Sequence, residues 1–297
     1  MNGTVVVGLA DTAQSGRTLA LAEREAADRG DTLAVVRGCR PPSWIAPARG
    51  PGAEPSRTRP GDTPEAATAR SRHGHPHKGP VLGVRAGSGE AADAFAAASR
   101  DADLVVVEDR AGADVAGHGR KGAVVAGLLA AARCPAIIVR GPNRPVQNRL
   151  LVAIDVEGPC EAVLAFAFDE ADRRGADLTI LNIWSEPQLY DYREGPERHR
   201  MVAAHKRRHE AAIGAVVQSW RDEYPHVPVT VRVTTGAIGD TLLRTANTAD
   251  LAIIGARWRS PGRSGLRVGP AAYTLLRHSA CPVALVPLDS AGHEPTG

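Results

Sequence analysis

ADLAIIG at residues 249–255, followed by VGPAAYTLLRHSACPVALV at 268–286, decides the reading of this chain because it occurs twice. The earlier copy is ADLVVVE at 102–108 with KGAVVAGLLAAARCPAIIV at 121–139. The offset between the copies is a constant 147 residues: Leu104 with Leu251, Gly122 with Gly269, Cys134 with Cys281. Upstream, Val7 matches Val152, Gly30 matches Gly175 and Leu33 matches Leu178 at an offset of 145. A period this long marks a duplicated domain, not a solenoid. Each position of one copy can therefore be read against its counterpart in the other.

Each copy alternates strand and helix. In the second, LLVAID (150–155) reads as a buried strand and GPCEAVLAFAFDEADRRG (158–175) as a helix, with Pro159 where a helix can begin. DLTILNIW (177–184) is the next strand. Residues 196–224 follow as a long helix whose apolar positions are Met201, Ala204, Ala212, Val216 and Trp220. A strand at 227–233, a helix at 240–249, a strand at 250–255, a helix at 270–279 and a strand at 282–287 complete the unit. Repeated strand–helix–strand units imply an α/β fold, a parallel sheet with helices on its faces.

The first copy has the same outline with a different centre. Residues 41–80 hold nine prolines, and outside alanine their only apolar side chains are Trp44 and Ile45. Proline lacks the N–H and clashes with the preceding turn, so this composition reads as a loop where the second copy has its long helix. The expected organisation is a first domain at 1–140, a linker at 141–149, a second domain at 150–288 and a tail at 289–297.

Composition excludes several classes. With 36 basic and 33 acidic residues the charge is +3, too balanced to argue by itself for a nucleic-acid partner. The four cysteines form no CxxC pair and read as buried thiols in a reducing compartment. No signal peptide precedes the first strand, and no apolar run approaches the ~20 residues that span a bilayer. A cytoplasmic protein without a membrane partner is expected.

The unit resembles the universal stress protein family, and the chain resembles a tandem member of it. The resemblance rests on VAID with Asp155 at its end, on ADLAIIG with the glycine-containing loop after it, and on the closing LLRHSACPVALV. It implies two tandem Rossmann-like domains of the adenine-nucleotide alpha-hydrolase-like type. ATP binding, dimerisation and stress-linked regulation are implied with it. The two closing strands, Ala136–Arg140 and Val283–Pro287, are short edge strands of the kind that pair between subunits in that family. An intramolecular pseudo-dimer is therefore expected, with a further homo-oligomer open.

The ATP-binding branch of the family has a loop of pattern G-x2-G-x9-G-(S/T). Gly255 matches its first glycine and Gly269 its last, with Gly265 between them. Trp258 stands at the second glycine, the spacing to Gly269 is one residue too long, and Pro270 replaces the Ser or Thr. Glycines let the backbone approach phosphate, and free N–H groups at a helix start favour anions. The resemblance places adenine against Ala153, Ile154, Asp155 and Ile183. It places phosphates at the loop, at the amides of Ala271 and Ala272, and at Arg257 or Arg263. The expected ligand is ATP or another adenine nucleotide. In the first copy Ala10 stands for Asp155 and Glu108 for Gly255, so that copy is expected to be degenerate.

Other signals are weaker. Gly87-Ser88-Gly89-Glu90-Ala91-Ala92 spells G-x-G-x-x-A, a dinucleotide-binding pattern, after a short stretch broken by Gly83. His73, His75 and His77 lie in the proline-rich segment, and His199, His205 and His209 lie among cations on the long helix. Both histidine groups read as surface rather than as metal sites. No G-x-S-x-G elbow, Walker A or HxGH motif is present. The leading expectation is a non-catalytic stress-response protein that senses an adenine nucleotide through its second domain. The alternative is an interaction module that has lost nucleotide binding. An ATP-hydrolysing or adenylyl-transferring enzyme is the least favoured.

Overall fold

The computed structural model describes residues 3–9, 14–37, 81–85, 97–99, 101–108, 134–184, 196–258 and 266–288. The proline-rich segment 41–80, the Gly87–Ala92 pattern and the tail after Leu288 lie outside the described residues. The chain divides into two units, Met1–Val139 and Arg140–Gly297.

In unit 1 the strands are β1 (Thr4–Leu9), β2 (Thr32–Arg37), β3 (Val81–Arg85), β4 (Leu104–Glu108) and β5 (Ala136–Val139), with α1 (Ser15–Arg29) between β1 and β2. They lie in the order β3-β2-β1-β4-β5, and every pairing is parallel. β4 and β5 are buried along their whole length, as their unbroken runs of Val, Ile and Leu require of a sheet covered on both faces.

Unit 2 repeats this plan. Its elements are β6 (Arg149–Ala153), α2 (Glu161–Arg174), β7 (Asp177–Trp184), α3 (Pro196–Glu223), β8 (Val229–Thr235), α4 (Ile238–Ala246), β9 (Leu251–Trp258), β10 (Leu266–Arg267), α5 (Pro270–His278) and β11 (Val283–Leu288). The parallel order is β11-β9-β6-β7-β8, with the short β10 antiparallel to β9. In both units the first and fourth strands are neighbours at the centre. The strand order reverses there, the place where open parallel sheets bind ligands at the carboxyl ends of their strands.

The matched glycines have a shared cause. Gly30 ends α1 at φ 71° and Gly175 ends α2 at φ 56°, both left-handed. Each donates its N–H back to the last turn, to Ala26 and Ala27 in one unit and to Ala171 and Asp172 in the other. A side chain is strained in that conformation, so glycine is kept where each helix turns into the next strand.

Two expectations about local structure are corrected. β9 runs on through Arg257 and Trp258 instead of ending at Gly255, because β10 pairs with it at Leu266–Trp258 and Arg267–Arg257. Part of the expected loop is thus a short antiparallel arm. On α3 the buried positions are His209, Ile213 and Val217, whereas Met201, Ala204 and Ala212 are exposed. Alanine offers little apolar area, so the branched Ile213 and Val217 set which face turns inward. Farther along the helix, Trp220 stacks on Phe168 of α2 with ring centroids 5.8 Å apart, and Tyr224 packs beside both.

The expected linker, with Arg140 just before it, is tied into unit 2. Arg140 is buried and donates to the carbonyls of Leu275 and Arg277, both at 3.0 Å, at the end of α5. Arg144 donates to the carbonyl of Asn247 at 2.7 Å, at the end of α4. Asp250 accepts the backbone N–H groups of Gln147 and Arg149. Two helix ends, where carbonyls lack a full set of intrahelical partners, therefore receive guanidinium donors from one stretch of chain.

Candidate functional site

The carboxyl ends of β6, β7 and β9 open on a cavity of about 770 Å³. Ala153, Ile154 and Asp155 line it where the chain leaves β6, and Ile183 lines it from β7. Gly255 and Arg257 line it from β9, and Gly269 and Ala271 from the start of α5. These eight of the expected residues come together. Ala272 does not line the cavity; it is 2% exposed and buried one residue deeper in α5. Arg263 and Gly265 lie outside the described residues.

Asp155 is exposed, and its Oδ1 accepts the N–H of Glu157 at 3.1 Å. Beside it Gly158 makes room: a Cβ there would stand 3.3 Å from Arg257 Nη2 and 3.6 Å from Asp155 Oδ2. A carboxylate and a guanidinium thus flank the same glycine. Among the described residues the Arg257 guanidinium has no hydrogen-bond or ion-pair partner.

Gly255 faces Val286 across the β9–β11 ladder. A Cβ on it would lie 2.8 Å from Leu288 Cδ1, so any larger residue must push Leu288 aside. Gly269 is the residue before α5, with open space in front of it and Pro270 at the first helical position. The first intrahelical bond runs from Tyr273 N–H to Gly269 O at 2.9 Å. The amides of Gly269, Ala271 and Ala272 therefore have no acceptor within the helix, and Pro270 has no amide to give.

Sequence reasoning missed the wall opposite. Asn182, Trp184, His205 and His209 line the same cavity. His209 is buried rather than on the surface, which corrects that expectation. The rings of Trp184 and His205 are 4.1 Å apart, and those of His205 and His209 4.3 Å. Asn182, also buried, donates through Nδ2 to Ile154 O at 3.1 Å, and its Oδ1 meets His209 Nδ1 at 3.0 Å. The Trp184 indole N–H is buried without a partner among the described residues. The i, i+4 run His209–Ile213–Val217 was the signal that could have found this wall. Among the described residues no group of three or more His, Cys, Asp and Glu could hold a metal ion. Cys160, also on the wall, has its thiol pushed up by burial and then by Glu161 and Asp155.

In unit 1 the counterpart of Gly255 carries a side chain. Glu108, aligned with Gly255, is 3% exposed, and Ser15, aligned with Cys160, donates its hydroxyl to Oε2 at 3.0 Å. Ala10, aligned with Asp155, lies outside the described residues.

The model of the universal stress protein family matches the chain twice, at residues 1–140 and 147–287. The chain belongs to the universal stress protein family. Universal stress protein Rv2623 of Mycobacterium tuberculosis is 30% identical to it over 196 residues, 62% of this chain and 61% of that protein. The matched part thus spans about three-fifths of that relative's length. Two solved structures share the fold of this universal stress protein over nearly all its length. A universal stress protein from Archaeoglobus fulgidus covers 98% of each chain at 14% identity and a TM-score of 0.61. A functionally unknown protein from Pseudomonas aeruginosa PAO1 covers 97% of this chain and 93% of its own at 16% identity and a TM-score of 0.66. Among the described residues of this universal stress protein, no helix is long and apolar enough to cross a membrane.

Proposed function

We propose that this universal stress protein binds an adenine nucleotide in the cavity of unit 2 and acts as a non-catalytic nucleotide sensor in a stress response. One observation carries the reading: Asp155, Arg257 and the free-amide start of α5 share a single cavity at the point where the strand order reverses. Its volume of about 770 Å³ is of the size that small-molecule ligands use.

In this reading the base lies against Ala153, Ile154 and Ile183, and Asp155 orients the nucleoside through its carboxylate. The phosphates meet the amide of Ala271, with Arg257 and Arg263 neutralising their charge and Gly265 and Gly269 allowing a close backbone approach. Pro270 removes one N–H and brings no hydroxyl. Each lost hydrogen bond to a charged group is worth about 1.5–3 kcal/mol, so AMP or ADP is favoured over what a full loop would give ATP. No general base–nucleophile pair enters the reading, and turnover is not part of it.

A second reading has its own observation. The buried Glu108 of unit 1 and the proline at the start of α5 both oppose a polyphosphate. An interaction module without ligand would retain both. Calorimetric titration of AMP, ADP and ATP into the full chain separates the two readings. Saturable binding that Asp155→Ala weakens supports the sensor, and absence of binding supports the module.

A further inference from the structure

The Asn182–His209 pair fixes a proton. Ile154 O can only accept, so Asn182 must present its amide nitrogen there, which leaves Oδ1 toward His209. That oxygen can only accept in turn, so the proton of the neutral His209 ring sits on Nδ1. The lone pair is then on Nε2. Nε2 lies on the side of Glu157, whose Oε1 is 4.0 Å away and whose side chain is exposed at the cavity rim. His205 packs against the ring from the preceding turn of α3 and Asn182 from β7, so His209 is held in one orientation. Ile154 and Ile183, the wall assigned to the base, are neighbours of the same Asn182.

We infer that His209 selects the base: its Nε2 accepts a hydrogen bond from a ring amino group, so the cavity takes a 6-aminopurine and rejects the 6-oxo counterpart. This rests on the reading of the cavity as a nucleotide site. An oxo group in that place would set one acceptor against another and leave both unpaired away from water. Asn182 acts through His209 and is a positioning residue.

The experiment is calorimetric titration of AMP and IMP into the full chain at pH 8. In the wild type AMP binds about tenfold more tightly than IMP, or better. His209→Asn keeps a side-chain amide where Nδ1 stood, preserving the bond to Asn182, and removes the Nε2 lone pair. Its melting temperature stays near that of the wild type and its AMP-to-IMP ratio falls to about one. Should that variant not fold, His209→Gln serves, since its amide can turn either end to the ligand and its ratio is also near one. A wild-type ratio near one, or a ratio that the variants leave unchanged, overturns the inference while AMP binding upholds the nucleotide reading. Binding of neither nucleotide overturns both.

Discussion

Ser15 donates its hydroxyl to Glu108 across 3.0 Å, and this bond stands where unit 2 has Cys160 and Gly255 on the wall of its cavity. The two units share a strand order and helix-ending glycines, yet they differ at this point. A glutamate side chain is buried at the carboxyl end of β4 where the other unit has a glycine that lines its cavity. The two places are therefore not equivalent, and the proposal assigns one ligand to each chain.

Transplanting that carboxylate is the direct test of the difference. Gly255→Glu is expected to abolish AMP binding, since it places a charge at the phosphates and a Cβ 2.8 Å from Leu288 Cδ1. A loss of affinity of at least about a hundredfold corresponds to ~2.7 kcal/mol. Isothermal calorimetry reads it. Differential scanning fluorimetry shows whether the variant still folds, and Gly255→Ala separates the steric part from the charge.

Asp155→Ala is expected to leave the fold intact and weaken nucleotide binding. The carboxylate is exposed, and among the described residues its one hydrogen bond is accepted from the Glu157 N–H. The melting temperature should move by less than about 3 °C, the scale of a change below ~1 kcal/mol in a domain of this size. AMP affinity should fall about tenfold or more. A large loss of stability with unchanged affinity would assign Asp155 to the fold instead.

Arg140 binds the end of α5 into unit 2, and its removal should be costly. Arg140→Met keeps an unbranched apolar stem and leaves the carbonyls of Leu275 and Arg277 without their guanidinium donors. Hydrogen bonds to charged groups contribute about 1.5–3 kcal/mol each, with incomplete additivity. An expected loss of about 2–4 kcal/mol can be read from urea unfolding. Arg144→Met, at a more exposed bond to Asn247, should cost less than half as much.

Cys134 gives a pH signature. Burial pushes its thiol up from 9.0 to about 12. Below pH 9 the thiol is protonated in both folded and unfolded chains and adds no pH dependence. As pH rises past 9 the unfolded chain ionises first, so stability falls by about 1.4 kcal/mol per pH unit from this group until about pH 12. Cys134→Ala removes that component, and its unfolding free energy should decline less steeply between pH 9 and 11 than that of the wild type.

Much of this fold was legible because the sequence states it twice. Apolar runs such as LVVVE and LLVA could only be buried parallel strands once helices alternated with them. Gly30 and Gly175, matched by offset alone, both proved to be left-handed helix ends. The candidate site was legible where it lies at element ends, since Asp155 follows β6 and Gly269 precedes the last helix, whereas Gly255 lies inside β9. The α3 wall was hidden for a physical reason. His205 and His209 sit among Lys206, Arg207 and Arg208, and local charge suggested a solvated face. Helix rotation is set instead by Ile213 and Val217 farther along, and they carry His209 inward. The extension of β9 was hidden as well, because it depends on pairing with the two residues of β10.

The central claim is that unit 2, and unit 2 alone, holds an adenine nucleotide. Calorimetric titration of AMP into the full chain measures both parts at once through affinity and stoichiometry. The account predicts one site per chain, lost in Gly255→Glu and retained in Glu108→Gln. Two sites per chain, a site that survives Gly255→Glu, or no heat of binding in the wild type would contradict it.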